Sequence, residues 1–223
     1  MLSLILAESA LELVPKELQN HNSVLAHSKR VNKKPSELIL DVSWHFAAMK
    51  GIKNEIKRGR PDLVHFCLLE ACSIPLYFEN KLRIYVHTID DKVIFLGENV
   101  RLPKSYHRFV GLIEKLYSTG IIEEGGKKLL EMKKMDFGKL IDKIAPKEII
   151  GLSEKGAASS YEKLAKTISK DSCIVVGGFP KGNFSDQIVK KINNLVSVDK
   201  NPLEAHVIIS RVLYEYEKEL LCS

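Results

Sequence analysis

Short apolar runs of strand length recur at Ser3 to Ala7, Leu38 to Val42, Glu148 to Leu152, Cys173 to Gly177 and Leu195 to Val198, separated by longer amphipathic stretches. Apolar runs of that length, alternating with helical stretches, belong to strands covered on both faces. The rhythm predicts an α/β fold, with a largely parallel sheet flanked by helices. With 223 residues, 45% of them hydrophobic, the chain can bury a sizeable core, so disorder is excluded as an overall state.

The stretch Leu82 to Gly97 departs from the rhythm. Arg83 to Ile89 alternates, Asp90-Asp91 turns and Val93 to Leu96 returns, the pattern of a β-hairpin. Residues 80–100 are expected to leave the main sheet as an excursion from a single domain spanning 1–223. Phe109, Leu112, Ile113 and Leu116 fall at i, i+3, i+4 and i+7, and Gly120 follows where a helix C-terminus needs it. A second long helix is expected from Pro202 or Leu203 to Glu219, with Val207, Ile208 and Val212 on its apolar side and Arg211, Glu215 and Lys218 in water. Lys127 to Lys143 is Lys-rich and carries Leu129, Leu130, Leu140 and Ile141, so helix is expected there, broken near Gly138.

Thirty-four Lys and Arg against 28 Asp and Glu give a formal charge of +6, which suits a polyanionic partner; where the charges fall says more than their sum. Lys53, Lys57, Arg58 and Arg60 crowd a segment ending Arg58-Gly59-Arg60-Pro61-Asp62, just before the apolar run Leu63 to Ala71. Pro61 suits the first turn of a helix, and Asp62 there favours the positive end of its dipole. Backbone N–H groups at such a terminus also attract phosphate. Arg101, Lys104 and Arg108 form a second basic row, with Tyr106 and His107 interleaved. Two readings stay open for these clusters: solvated faces, or an RNA groove that pins phosphates and stacks bases.

Cys67, Cys72, Cys173 and Cys222 lie in or beside apolar runs with no Cys-x-x-Cys pair, so buried thiols in a reducing compartment are expected. The opening Met1 to Ala7 is too short for a membrane span, and no basic residue precedes Glu8 as a secretory signal would require. A cytoplasmic protein with no membrane partner is the expectation. The histidines form no HExxH pattern, and His65 beside Cys67 reads as a partly buried helix residue, so no metal is expected. No Gly-x-Ser-x-Gly is present to support a hydrolase.

Three loops follow three predicted strands: Gly151-Leu152-Ser153, then Gly177-Gly178-Phe179-Pro180-Lys181-Gly182, then Ser197 to Leu203. Ligands of open α/β sheets gather at the carboxyl ends of strands, and glycine lets backbone amides approach them. The Gly177 loop is neither GxxxxGK[ST] nor GxGxxG, which counts against nucleoside triphosphates and dinucleotides. Each loop alone is equally compatible with glycines that only cap strands and helices.

Taken in order, Lys57-Arg58-Gly59-Arg60-Pro61-Asp62-Leu63-Val64-His65, the run Arg101 to Leu112, the loop Gly177 to Gly182 and Asn201-Pro202-Leu203 resemble the SPOUT pseudouridine N(1)-methyltransferase family, also called nucleolar essential protein. The segment Leu38 to Lys50, with Asp41 and His45, resembles it too, so the similarity runs along nearly the whole chain. The resemblance implies a C-terminal trefoil knot, S-adenosylmethionine as methyl donor, small-subunit ribosomal RNA as partner, and a homodimer with the C-terminal helix as a candidate seam. It implies donor binding by Leu152, Gly177, Gly178, Gly182, Val196, Ser197, Val198, Asp199, Lys200, Asn201 and Leu203. It implies RNA contacts at Arg58, Arg60, Asp62, Arg101, Lys104 and Arg108. Within that site, residue chemistry suggests Asp62 to orient or deprotonate the target base and Arg60 to hold phosphate or developing negative charge. A non-catalytic RNA-binding assembly factor, or a SPOUT enzyme acting on another nucleotide, are the alternatives.

Overall fold

The computed structural model describes residues 1–221. In chain order the elements are β1 (Leu2–Ser9), α1 (Asn22–Val31), α2 (Val42–Met49), α3 (Pro61–Ala71), α4 (Pro75–Phe78), β2 (Leu82–Thr88), β3 (Lys92–Leu96), α5 (Tyr106–Thr119), β4 (Ile121–Glu124) and β5 (Lys127–Lys134). They continue with α6 (Phe137–Ile144), β6 (Glu148–Ala158), α7 (Tyr161–Thr167), β7 (Ser172–Gly177), α8 (Asp186–Val189), β8 (Asn194–Ser197) and α9 (Ala205–Leu221). The eight strands form one sheet in the order β4-β5-β3-β2-β1-β7-β6-β8.

The central strand β1 shows why the chain folds this way. Leu2, Leu4 and Leu6 join a core cluster on one face, while Ile5 and Ala7 join the cluster on the other. Strand β7 divides likewise, with Ile174 and Val176 on the first face and Cys173 and Val175 on the second. A strand apolar on both sides must be covered on both sides. Residues of α3, α5 and α9, including Leu68, Phe109 and Ile209, cover the first face; Phe137 and Leu140 of α6 and Ile188 of α8 cover the second. A third cluster under α1 and α2 holds Val24, Leu40, Ala48 and Met49.

Four expectations need correction. The sheet is mixed: β1 pairs parallel with β2 and β7, and β6 parallel with β7 and β8, but β3, β4 and β5 pair antiparallel. The stretch Leu82 to Leu96 is not an excursion, because β2 lies in the body of the sheet in register with β1. Leu38 to Val42 makes one isolated bridge, Leu13 to Ile39, and ends where the Asp41 carboxylate accepts the Ser43 N–H and starts α2. Lys127 to Lys134 is strand: Gly125 and Gly126, at φ of +56° and +78°, turn the chain back and pair β5 with β4 and β3. Gly138 then lies inside α6 without breaking it.

The expected α5 and α9 are present, and Gly120 closes α5 at a left-handed φ of +73°. Cys67, Cys72 and Cys173 are buried, with burial pushing each thiol up to about 12; Cys222 lies outside the described residues. Among the described residues no helix is long and apolar enough to cross a membrane.

Gly156 holds the edge strand β8 against β6, since a Cβ there would stand 2.4 Å from backbone atoms of Val196. Gly156→Ala should therefore destabilise the protein by about 1–3 kcal/mol, read as a lower midpoint in urea denaturation.

Candidate functional site

Because β6, β7 and β8 run parallel, the irregular stretch of β6 after Leu152, where its register with β8 shifts, meets the loops that follow β7 and β8 at one edge of the sheet. A cavity of about 430 Å³ opens there. Of the residues expected at a donor site, Leu152, Gly177, Gly182, Ser197, Val198, Asp199, Asn201 and Leu203 line it. Three do not. Gly178 packs so tightly on Ser9 that a Cβ would reach its Oγ at 2.2 Å, and its carbonyl accepts the Ala10 N–H at 2.8 Å. Val196 is a ladder residue paired with Leu152 and Ala157, and Lys200 is exposed on the turn outside.

The sequence reading missed further walls, Leu63 from α3, Glu154, Phe184 and Ile208, and Glu204, which follows the expected Leu203, lines the cavity too. Phe179 meets Phe184 edge to face at 5.9 Å, giving an apolar wall for a flat ring. Three carboxylates, Glu154, Asp199 and Glu204, face one lysine, Lys181, so the lining favours a cation. The Asn183 side-chain oxygen is buried there without a hydrogen-bond partner, an acceptor awaiting a donor. Asp199 fixes its turn by accepting the Asn201 N–H at 2.9 Å, while the Ser197 hydroxyl donates to the Asp199 carbonyl at 3.0 Å. An adenosyl sulfonium, part flat ring, part hydroxyl-bearing sugar and part cation, fits this lining. Among the described residues no cluster of His, Cys, Asp and Glu could hold a metal ion.

Pro61 starts α3 and places Arg60 at the N-cap, with Asp62 in the first turn. The Arg60 guanidinium donates to both oxygens of Asp62, each at 2.8 Å, with both side chains about one-third exposed. The neighbouring Leu63 is itself a cavity wall. The hydrogen bond from Arg60 to Asp62 raises the guanidinium's pKa, as do the charges of Asp62 and of the wall residue Glu204. The pair thus stands at the lip of the cavity. Arg58 is placed differently: it donates from Nε and one terminal nitrogen to both oxygens of Glu12, each at 2.7 Å, and little of either side chain is exposed. Burial pushes the Glu12 carboxyl up against the pull of that guanidinium. Arg58 is therefore committed to the fold.

Arg101, Lys104 and Arg108 are exposed and, among the described residues, form no ion pair. Their backbone is pinned from beneath by residues that spacing alone did not identify. The His65 Nε2–H donates to the Pro103 carbonyl at 2.7 Å, and the ring stacks on Phe109 at 4.3 Å. Tyr106 donates its hydroxyl hydrogen to Asp41. The Asp41 N–H donates to His45 Nδ1 at 3.1 Å, so His45 carries its proton on Nε2 and donates to His27 Nδ1 at 3.0 Å. His27 in turn stacks on Trp44 at 4.7 Å.

Comparison with known proteins gives the class first. The crystal structure of Archaeoglobus fulgidus Nep1 bound to S-adenosylhomocysteine shares the fold, with a TM-score of 0.88, 33% identity and 98% of each chain covered. The fold is thus that of a methyltransferase. Family resolves next: the model described as EMG1/NEP1 methyltransferase matches residues 4–217, and the chain belongs to that family. The ribosomal RNA small subunit methyltransferase Nep1 of Thermococcus sibiricus is 40% identical, with 99% of this chain and all of the relative covered. The protein of the same name from Staphylothermus marinus is 43% identical over 95% of this chain and 93% of its own.

Burial first, then repulsion from His27, lowers His45 to about 4, against the pull of Asp41. The unfolded imidazole takes its proton near pH 6.5, before the folded one does, so stability is full above that value and falls as pH drops toward 4. The loss should reach on the order of 3 kcal/mol. Urea titrations at successive pH values should show this slope, and His45→Gln should make it shallower.

Proposed function

We propose that the protein transfers a methyl group from S-adenosylmethionine to ring nitrogen 1 of a pseudouridine in small-subunit ribosomal RNA, in the course of small-subunit biogenesis. The observation that carries this reading is the adjacency of the cavity and the Arg60–Asp62 pair through Leu63 and Glu204. The S-adenosylhomocysteine-bound structural neighbour and the small-subunit methyltransferase names of the relatives support it. Leu152, Gly177, Gly182, Ser197, Asp199, Asn201 and Leu203 would hold the donor, whose sulfonium supplies an electrophilic methyl group.

Methyl transfer is an in-line displacement, so alignment and exclusion of water are what the protein contributes. Both oxygens of Asp62 accept from Arg60, yet a carboxylate retains further lone pairs, and one can accept the N–H of the target ring. Asp62 then orients the base and draws on its proton as the ring nitrogen attacks. Arg60 holds the Asp62 carboxylate in place and steadies the negative charge that develops on the ring. Arg101, Lys104 and Arg108, exposed on a pinned backbone, hold phosphates of a loop from which the base has flipped.

The finer architecture belongs to the same proposal. The chain forms one SPOUT domain whose C-terminal part is knotted, a reading supported by the crossing of the chain from β7 past β6 to place β8 on the far edge of β6. The active form is a cytoplasmic homodimer seated on α9, supported by Tyr214 of α9 at 60% exposure and Phe66 of the adjoining α3 at 53%.

Mass spectrometry of treated RNA should find the methyl group on pseudouridine-containing loops and none on uridine-containing ones. Asp62→Asn should slow single-turnover methylation by about a hundredfold while donor affinity is retained; an unchanged rate excludes the role given to Asp62. Arg108→Ala should weaken RNA binding and reduce the slope of log affinity against log salt by about one, which a filter-binding series at several salt concentrations measures.

A further inference from the structure

Glu8, next to the last residue of the central strand β1, adopts a conformation that side chains seldom take, with φ at +50°. Between Leu6 and Ser9 the register of β1 against β2 shifts, so the ladder breaks there. A non-glycine residue in the left-handed region costs free energy and persists only where its surroundings hold it. Those surroundings are explicit: the Glu8 N–H donates to Nδ1 of the buried His87 at 3.3 Å, and the His87 Nε2–H donates to Asp91 at 3.2 Å.

The turn places the Glu8 carboxylate between two segments distant in sequence. Its Oε2 accepts from Lys57 Nζ at 2.8 Å and from the Ser185 N–H at 3.2 Å. Lys57 belongs to the 3-10 turn Glu55–Lys57, three residues before Arg60. Its ammonium sits 4.6 Å from the centre of the Phe179 ring, and a Cβ on Gly182 would meet the lysine Cε at 3.4 Å. Phe179 and Gly182 are walls of the cavity. One carboxylate and one lysine therefore join the segment bearing the Arg60–Asp62 pair to the loop that closes the cavity. Little of either side chain is exposed, 13% for Glu8 and 14% for Lys57. Removing one charge leaves the other shielded from water and uncompensated.

We propose that Glu8 and Lys57 are positioning residues for methyl transfer: their ion pair locks the loop from Gly178 to Ser185 against the turn that carries Arg60 and Asp62, fixing the acceptor side of the site relative to the donor side. Neither residue touches the reacting atoms; each acts through the two segments it joins. This role rests on the methyltransferase reading above, and it has a consequence independent of activity. The loop should be ordered by the pair before any ligand arrives.

Amide hydrogen exchange on the ligand-free protein tests it, using Lys57→Met, which keeps an apolar stem on Phe179, Glu8→Gln, and the charge-retaining Lys57→Arg. Exchange across residues 178–185 should rise about tenfold in Lys57→Met and Glu8→Gln, stay unchanged in β1 and β7, and return near the wild-type rate in Lys57→Arg. With donor and RNA both saturating, single-turnover methylation should fall about tenfold in the first two variants and recover in the third, while the affinity for each ligand alone changes less than threefold. Unchanged loop exchange in Lys57→Met overturns the proposal, as does a uniform rise in exchange through β1 and β7, which marks a general stabilising role. Failure of the wild-type protein to methylate pseudouridine would overturn the assigned reaction instead, and the exchange comparison would still decide whether the pair orders the loop.

Discussion

Parallel pairing of β1, β7, β6 and β8 is the constraint from which the site follows. Strands that run the same way release their loops at the same edge, and here the loops after β7 and β8, with the irregular middle of β6 from Leu152 to Glu154, close a cavity of about 430 Å³. The pairing is held by residues such as Leu4, Ile5, Ile174 and Val175, buried on alternating faces and covered by helices on both sides. The antiparallel wing of β3, β5 and β4 completes the sheet at the other end, away from those loops.

Onto that edge the chain brings two kinds of cation. Within the segment Lys57 to Arg60 every positive charge is met by a carboxylate: Lys57 by Glu8, Arg58 by Glu12 and Arg60 by Asp62. The first two pairs are sheltered, the Lys57 pair behind the cavity walls Phe179 and Gly182, and only the last is substantially open to solvent. Arg101, Lys104 and Arg108 are the reverse case, unpaired side chains on a backbone pinned by His65 and Tyr106. Paired cations shape a site, and unpaired ones remain available to a polyanion.

The legible parts of the fold were those whose physics is local. Four of the five apolar runs became strands, because such a run is buried by its own composition wherever it lies. Leu38 to Val42 has the same composition, but its apolar side chains, Leu38 and Leu40 among them, pack beneath α1 and α2 without a ladder, and Asp41 turns the chain into helix. Lys127 to Lys134 was misread because the wing is half-exposed and the adjacent Leu129 and Leu130 blur its alternation; Gly125-Gly126 was the signal that marked the hairpin. Most donor-cavity residues were found through the family motif, and the Arg60–Asp62 pair through its position at a helix start. Glu8 and Glu12 were invisible, since their partners lie 49 and 46 residues away and only the folded sheet brings them together.

The buried cysteines bear on the fidelity of the chemistry. Cys67 lies on α3 close enough to the cavity wall for the charge of Glu204 to raise it further, and burial already holds it up to about 12. Burial keeps such a sulfur protonated at neutral pH, and the protonated form is a poor nucleophile. Cys67 is fully buried and is not among the residues that line the cavity, so an electrophile held in the cavity has no open path to its sulfur. The apolar packing of α3 that supplies the wall residue Leu63 thus also keeps its thiol out of reach of electrophiles.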